Sequence, residues 1–287
     1  MNKKYTAEEL DLLHAELYDI LGETIRVCQK HNIPYFVIGG TAIGALYDQA
    51  VLPWDDDIDI GMTRENYNKF LKVAPEELGP SYFLSWIETD PHTPYYFAKV
   101  KKNDTLFVEE MFKNVPMHPG IFVDIFPFDR IPDNKLLRKL QYDAAGFLKC
   151  CLMGKEIWMW KHFGTCEIED PTNRGAFSCF LNRVVDLLFS KKAIYRMLVS
   201  VQSCFNSRNT RYYNNVMATA DHVTVESIRH LQPVKFGPLT VTAPDDLEGF
   251  LRYNYPTLHR FTEEEQEKVN NHYPAALSFS TTPKQEL

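Results

Sequence analysis

Residues Pro53–Met62 read P-W-D-D-D-I-D-I-G-M, and this acidic segment is the strongest structural signal in the chain. Aspartate and isoleucine alternate from Asp57 to Ile60, and successive side chains of a β-strand point to opposite faces of a sheet. Asp57 and Asp59 are therefore expected to share one face of a strand, while Ile58 and Ile60 enter the core. The pattern predicts a strand with two carboxylates on its polar side.

Two neighbouring carboxylates favour a shared cation, because without one they repel each other and one of them takes up a proton. Oxygen ligands suit Mg²⁺ or Mn²⁺, and Mg²⁺ is commonly held by carboxylates together with substrate phosphates. Asp55 is a further candidate ligand, whereas Asp56 is expected to face away. A calcium loop also begins D-x-D-x-D, but Ile60 and Asn66 stand where that loop requires Gly and Glu. A solvated acidic loop is the remaining structural alternative.

Two further segments point to the same chemistry. Asp124 lies in the apolar run Phe122–Phe126, where a buried carboxylate needs a partner, and a shared metal ion would provide one. An edge strand with Asp124 facing solvent is the alternative. The turn Gly39–Thr41 separates the apolar run Tyr35–Ile38 from a predicted helix. Its free backbone N–H groups and the positive end of the helix dipole could hold a phosphate.

The amino-acid composition excludes several classes of protein. Of its 287 residues, 45% are hydrophobic and 13% aromatic, so the chain can bury a sizeable core and is not disordered. The net charge of −7 argues against a dedicated duplex nucleic-acid binder. No apolar run reaches the length of about 18 residues needed for a membrane span, and the N-terminus lacks the apolar core of a secretory signal. Six cysteines without C-x-x-C spacing indicate reduced thiols, and we expect a cytoplasmic protein.

The order of predicted elements indicates an α+β fold, with a mixed sheet flanked by helices and a helical subdomain. A first helix is expected to begin at a capping box formed by Thr6 and Glu9. The tail beyond Tyr273 is expected to be loose. We predict three parts: a catalytic core over 1–133, a basic helical subdomain over 134–232, and a C-terminal hairpin and helix over 233–273 that pack on the core.

Together these segments resemble the nucleotidyltransferase superfamily, which has a glycine pair after a strand, an alternating acidic strand and a third acid in a later apolar strand. More closely, roughly residues 30–260 resemble the LicD family of bacterial phosphocholine transferases and fukutin-like proteins. Family members commonly carry a basic residue soon after the first motif, where this chain has Leu46-Tyr47-Asp48. The matching motifs are G-T-A-I-G-A at Gly40–Ala45, P-W-D-D-D-I-D-I-G-M at Pro53–Met62, R-E-N-Y at Arg64–Tyr67, G-I-F-V-D-I-F-P-F-D at Gly120–Asp129 and Y-N-Y-P at Tyr253–Pro256.

The resemblance implies transfer of a phospho-alcohol onto a sugar hydroxyl of a cell-surface glycan, in cell-wall or lipopolysaccharide biosynthesis. The implied donor is CDP-choline or another CDP-alcohol, with CMP as the product. The implied ligands of Mg²⁺ or Mn²⁺ are Asp57, Asp59, Asp124 and, in addition, Asp55. Phosphate contacts are expected from Gly39, Gly40, Thr41 and, where their strand face lines the cleft, Lys99 and Lys101. Candidates for an aromatic wall against choline are Trp54, Tyr95, Tyr96, Trp158 and Trp160.

Two other functions remain open at this point: an NTP-dependent nucleotidyltransferase that releases pyrophosphate, and a non-catalytic family member that binds a sugar or a partner. Residues 135–215 carry a net charge of +7, against −14 for the remainder. This basic, aromatic-rich block suggests peripheral contact with anionic lipid at the inner membrane face, where a lipid-linked glycan acceptor would lie. A solvated helical layer is the alternative.

Overall fold

Helix α1 (Ala7–Lys30) opens the fold at the predicted capping box. The Thr6 hydroxyl accepts a hydrogen bond from the Glu9 N–H at 3.1 Å, and the Thr6 N–H donates to the Glu9 carboxylate at 2.8 Å. Both bonds satisfy backbone N–H groups that a helix start leaves without partners. The computed structural model of the chain describes residues 4–163, 184–185, 187–215, 222–267, 269 and 273–280.

A mixed sheet forms the core of the first half of the chain. Its strand order is β1-β2-β6-β4-β3, with β2 and β6 parallel and the other neighbours antiparallel. This arrangement confirms the predicted α+β class. The elements in chain order are β1 (Phe36–Val37), α2 (Gly39–Tyr47), β2 (Asp59–Thr63), α3 (Arg64–Glu77), β3 (Tyr82–Ser85), β4 (Ala98–Lys102), β5 (Leu106–Val108) and β6 (Phe122–Ile131).

Strand β6 is the centre of the hydrophobic core. All of its residues except Arg130 are buried, and helices α1 and α3 both contact it. Such coverage of a strand produces a nearly continuous apolar run in its sequence. The prediction that Ile58 and Ile60 enter the core is also confirmed, because both residues are completely buried. Regular strand pairing begins only at Asp59, so Asp55–Asp57 form an extended approach to β2.

The second half of the described chain mixes helices and strands. Helices α4 and α5 pack on each other, while β7 and β8 extend β6, although both strands fall within the segment predicted as helical. The hairpin predicted around Gly237 is present as β9 and β10. Within the described residues, no helix has both the length and the hydropathy to cross a bilayer. The elements are α4 (Lys135–Phe163), α5 (Lys191–Ser203), β7 (Tyr212–Asn214), β8 (His222–Thr224), β9 (Leu231–Phe236), β10 (Leu239–Pro244), α6 (Leu247–Asn254), α7 (Glu263–Glu267) and β11 (Ala276–Ser278).

The prediction of a loose tail beyond Tyr273 is wrong for β11. This short strand pairs antiparallel with β5, and Leu277 lies opposite Phe107. The Ser280 N–H and hydroxyl then donate to the Glu16 carboxylate at 2.9 and 2.7 Å. A three-residue strand has too little alternation to be recognised in sequence, and it forms here because the edge of β5 offers unpaired backbone groups.

Candidate active site

Three charged side chains line up across three neighbouring strands. Asp59 of β2 lies opposite Asp124 of β6, and Lys99 of β4 lies opposite the same Asp124. Residues that are opposite each other in a sheet project from the same face. The strand register therefore brings two predicted site acids and one predicted site lysine together.

The Lys99 ammonium is buried in an aromatic box formed by Phe122 and Tyr95. Its Nζ lies 3.3 Å from the centroid of the Phe122 ring and 4.2 Å from that of Tyr95. The same Nζ lies 2.9 Å from Asp124 Oδ1 and 3.1 Å from Oδ2. The sequence predicts Lys99 as a phosphate contact, and the structure places it as the counter-ion of Asp124.

Lys101 follows Lys99 on the same strand face but has a different environment. Its Nζ donates to the His118 carbonyl oxygen, and only 2% of the residue is exposed. Burial, reinforced by the charge of Lys99, lowers the pKa of Lys101 to about 8. Sequence reasoning missed Glu109, whose carboxylate accepts a hydrogen bond from the Tyr95 hydroxyl behind Lys99. No local pattern marks Glu109, since its role depends on where β4 brings Tyr95.

The predicted glycine turn lies directly against the acidic segment. Gly39 has a φ of +54°, a conformation that favours glycine, and a Cβ atom there would lie 3.5 Å from Asp59 Oδ2. A Cβ atom on Gly40 would come within 2.4 Å of Asp55 Oδ2, so a larger residue would displace that carboxylate. The Asp59 N–H donates to the Thr41 hydroxyl at 2.8 Å. The turn is thus joined to both ends of the segment from Asp55 to Asp59.

The acidic approach to β2 gathers three carboxylates. Asp55, Asp56 and Asp57 each offer an oxygen within 4.8 Å of the others. The prediction that Asp56 faces away is therefore wrong. Its Oδ2 accepts a hydrogen bond from the Tyr5 hydroxyl at 3.0 Å, while the Asp55 carbonyl oxygen lies 2.8 Å from His14 Nε2. Residues from the start of α1 hold this stretch in its extended path.

Burial and the charges of neighbouring acids raise the pKa values of the site carboxylates. Burial, with Asp57 and Asp124 nearby, raises the pKa of Asp59 well above its usual range. Burial and the charges of Asp55 and Asp124 do the same to the pKa of Asp57. Burial and Asp56 raise the pKa of Asp55 to about 6. Burial also raises the pKa of Asp124 to about 6, although Lys99 opposes that rise.

The donor set fits a hard divalent cation. The acids at this end of β2 and β6 supply only oxygen, as Mg²⁺ and Mn²⁺ prefer. Several carboxylates share the site, and the adjacent Lys99 ammonium is already paired with Asp124. Burial and the charges of neighbouring acids raise the pKa values of Asp57 and Asp59, and a bound cation would oppose that rise.

Another acid of β6 has a structural role. Asp129 is buried and forms a forked ion pair with Arg64, whose Nε lies 3.0 Å from Asp129 Oδ1. The Asn206 side chain donates to the same oxygen at 2.6 Å. These bonds tie the start of α3 to the end of β6 and to the segment after α5. The R-E-N-Y motif and the last acid of the β6 motif thus meet in the core.

A C-terminal segment covers one side of the acidic approach. The Phe261 ring stacks on Trp54 with a centroid distance of 5.8 Å and an interplanar angle of 4°. The Arg260 guanidinium forms an ion pair with Asp48, which lies in the stretch where LicD family members commonly carry a basic residue. A cation is therefore present near α2, and it comes from the far end of the chain.

A large cavity lies away from the acids. It has a volume of about 800 Å³ and runs between the end of α1 and the β9–β10 hairpin, where Asn32, Arg229 and Thr242 line it. None of the site aspartates lines this cavity. Its size alone gives no reason to place the chemistry there.

Comparison with known proteins agrees with the geometry. Residues 32–147 match the family model described as LicD/FKTN/FKRP, nucleotidyltransferase domain. The lipopolysaccharide cholinephosphotransferase LicD of Haemophilus influenzae is 29% identical over 196 residues, which cover 66% of this chain and 66% of that protein. An uncharacterized protein of Rickettsia typhi is 28% identical over 140 residues, or 49% of this chain and 42% of the relative. The matched regions thus span less than two thirds of either relative.

Proposed function

We propose that the chain is a metal-dependent phosphocholine transferase, because residues 32–147 match the family model of the LicD/FKTN/FKRP nucleotidyltransferase domain. In this proposal the donor is CDP-choline, the acceptor is a sugar hydroxyl of a cell-surface glycan, and CMP is released. The similarity to the lipopolysaccharide cholinephosphotransferase of Haemophilus influenzae supports the choice of phosphocholine. The observation that carries the proposal is the pairing of Asp59 with Asp124 on adjacent parallel strands, beside the glycine turn at Gly39.

Each group of the site has a proposed task in the transfer. The ion would be held by Asp57, Asp59 and Asp124, with Asp55 beside them, and when bound it supplies positive charge against the donor diphosphate. The backbone N–H groups at Gly39–Thr41 bind a phosphate oxygen at the start of α2. Lys99 holds the Asp124 carboxylate in one orientation through the ion pair between them.

The proposed reaction is an in-line displacement at phosphorus. The acceptor hydroxyl oxygen forms a bond to the phosphorus that carries choline, and the bond from that phosphorus to the oxygen of CMP breaks. Asp124 orients the hydroxyl and accepts its proton as the new bond forms. The electron pair of the broken bond leaves on CMP.

A donor panel tests this function. The protein is incubated with CDP-choline, CDP-ribitol or NTPs in the presence of Mg²⁺, and the products are resolved by chromatography. We expect CMP from CDP-choline when a glycan acceptor is present. Pyrophosphate from an NTP would instead identify a nucleotidyltransferase, and no product from any donor would favour a binding protein.

Substitution of the site acids tests whether turnover depends on them. We expect Asp57→Asn and Asp124→Asn each to reduce CMP release by at least a hundredfold while the far-UV circular dichroism spectrum is retained. Asp143→Asn is the matched control, because its carboxylate is 61% exposed and pairs with Lys139 on the surface of α4. Unchanged turnover in both site variants would contradict the proposed site.

We also propose that the chain works at a membrane surface on a lipid-linked acceptor. The first turns of α4 expose Leu136, Leu137 and Leu140 to 67%, 48% and 57%. Lys135 and Lys139 lie among them, within the block of net charge +7. Exposed leucines beside cations are the combination by which a helix binds anionic lipid without spanning the bilayer.

A further inference from the structure

A small enclosed cavity adjoins the carboxylate site. It has a volume of about 190 Å³, and Asp59 and Gly39 form the side that faces the acidic segment. Its other walls come from β6, from the start of β8 and from the end of α6. The aromatic lining residues are Phe126, Phe128, Phe250 and Tyr255.

The lining has the chemistry of a site for an apolar cation. Aromatic rings offer the negative face of their π-systems, and they bind quaternary ammonium groups by this means. Asp59 is the only charged residue among those that line the cavity, and no lysine or arginine is among them. Among the lining residues that the structure describes, the aromatic rings and Asp59 favour a cationic ligand over an anionic one.

The size of the cavity restricts the ligand further. Pockets for drug-sized ligands span roughly 300–1,000 Å³, so a cavity of about 190 Å³ takes a headgroup and not a nucleoside. A polyol such as ribitol would need hydrogen-bond partners on all sides, and Asn215, Asn254 and Tyr255 supply only part of the lining.

The position relative to the acids matches the reaction. In the proposed transfer the phosphorus that carries the alcohol sits at the carboxylates, and the alcohol extends from it by a short carbon link. Asp59 belongs both to that carboxylate row and to the cavity wall. We infer that this cavity binds the trimethylammonium headgroup of the donor and selects choline over uncharged alcohols; this inference rests on the proposed function.

The aromatic wall differs from the residues that the sequence suggests. Trp54 is stacked on Phe261, Tyr95 faces Lys99, and the Tyr96 hydroxyl donates to the Asn215 carbonyl oxygen at 2.9 Å. The side chains of Trp158 and Trp160 lie outside the described residues.

Choline and its neutral isostere test the cavity directly. Binding of choline and of 3,3-dimethylbutan-1-ol, which has the same shape without the charge, is measured by titration calorimetry on the full chain. We expect choline to bind at least tenfold more tightly than the isostere.

Tyr255→Leu should weaken choline binding and raise the KM for CDP-choline by about tenfold, the scale of one cation–π contact. Phe128→Leu, which keeps an apolar side chain but removes a ring, should lower the preference for choline over the isostere.

Tyr253→Leu is the matched control, because Tyr253 lies two residues before Tyr255 in the last turn of α6, is 44% exposed and does not line the cavity. Equal binding of choline and the isostere, or a Tyr255→Leu variant with unchanged selectivity, would overturn the headgroup site. If CMP is released but choline selectivity does not respond to the cavity variants, the transferase stands and the cavity assignment fails. If choline binding responds to them but no CDP-alcohol is turned over, the cavity assignment stands and the transferase fails.

Discussion

Lys99 and Asp124 form an ion pair that is almost completely buried. Their side chains are 3% and 9% exposed, and the aromatic box holds the ammonium on the side away from the acid. Burying two charges is costly unless each compensates the other, so removal of one partner leaves an uncompensated charge. At the scale of single residues, the site therefore keeps a permanent cation against the acid that is proposed to orient the acceptor.

Loss of the lysine charge is expected to destabilise the fold. Lys99→Met leaves Asp124 without its counter-ion, and we expect a loss of about 3–5 kcal/mol in the free energy of unfolding, measured by urea denaturation. The double variant Lys99→Met/Asp124→Asn removes both charges and should recover most of that loss without recovering turnover. A single variant as stable as the unmodified protein would show that the pair carries little energy.

The raised carboxylate pKa values predict how metal affects stability at different pH. Asp55 and Asp124 have pKa values of about 6 in the fold, above the value of about 3.9 for an unfolded aspartate. Without a cation, the cost of ionising them is absent below the unfolded value and complete above the folded value, so it grows as the pH rises. We expect Mg²⁺ to raise the Tm clearly at pH 7.5 and little at pH 5, by thermal denaturation against EDTA.

Asp55→Asn serves as the control for this linkage. It removes one of the titrating acids and should reduce both the loss of stability with rising pH in EDTA and the gain from Mg²⁺. Equal stabilisation by Mg²⁺ at both pH values in the unmodified protein would rule out these carboxylates as the binding groups.

At the scale of elements, α1 acts as a brace for the acidic approach to β2. Tyr5 just before the helix and His14 within it contact Asp56 and the Asp55 backbone, so the helix position sets the path of three carboxylates. Loss of a group that supports metal ligands by hydrogen bonds commonly lowers the affinity for the metal by about 10–100-fold. The capping box at Thr6 fixes where this brace begins.

Removal of one hydroxyl tests the brace. Tyr5→Phe frees Asp56 from its hydrogen bond, and we expect Mg²⁺ affinity to fall by about 10–100-fold, measured by calorimetry, with a cost of about 1 kcal/mol in stability. Tyr82→Phe is the matched control, because its hydroxyl donates to Asp19 of the same helix at 2.8 Å, outside the acidic segment. The same loss of Mg²⁺ affinity in both variants would show that α1 acts only through general stability.

At the scale of the whole molecule, charge is divided between two regions. The block 135–215 carries +7 and the remainder −14, and the exposed leucines at the start of α4 lie in the positive block. The carboxylate site lies in the negative region. An anionic surface would therefore be attracted to one region of the molecule and repelled by the other.

Vesicle sedimentation tests this orientation. We expect the protein to bind vesicles that contain phosphatidylglycerol, to bind phosphatidylcholine vesicles weakly, and to be released by salt. Leu136→Asp/Leu140→Asp should reduce the partition coefficient at least tenfold. Leu12→Asp, at a 44% exposed leucine of α1 in the acidic remainder, is the control and should have no effect. Equal loss in both would indicate nonspecific adsorption.

Local patterns in the sequence were enough to predict several elements. The alternation at Asp57–Ile60, the capping box at Thr6, the glycine turn and the apolar run around Asp124 all depend on neighbours within a few residues. Side-chain periodicity and capping act at that range.

Tertiary structure decided which side chains meet. The register that sets Asp59 and Lys99 against Asp124 joins strands far apart in sequence, and no local pattern specifies it. The return of Asp56 toward its neighbours, the Arg260–Asp48 pair and the aromatic cavity at Asp59 likewise depend on distant segments. The physical reason is that periodicity determines which face of an element is buried, whereas the packing of elements against one another determines what each face touches.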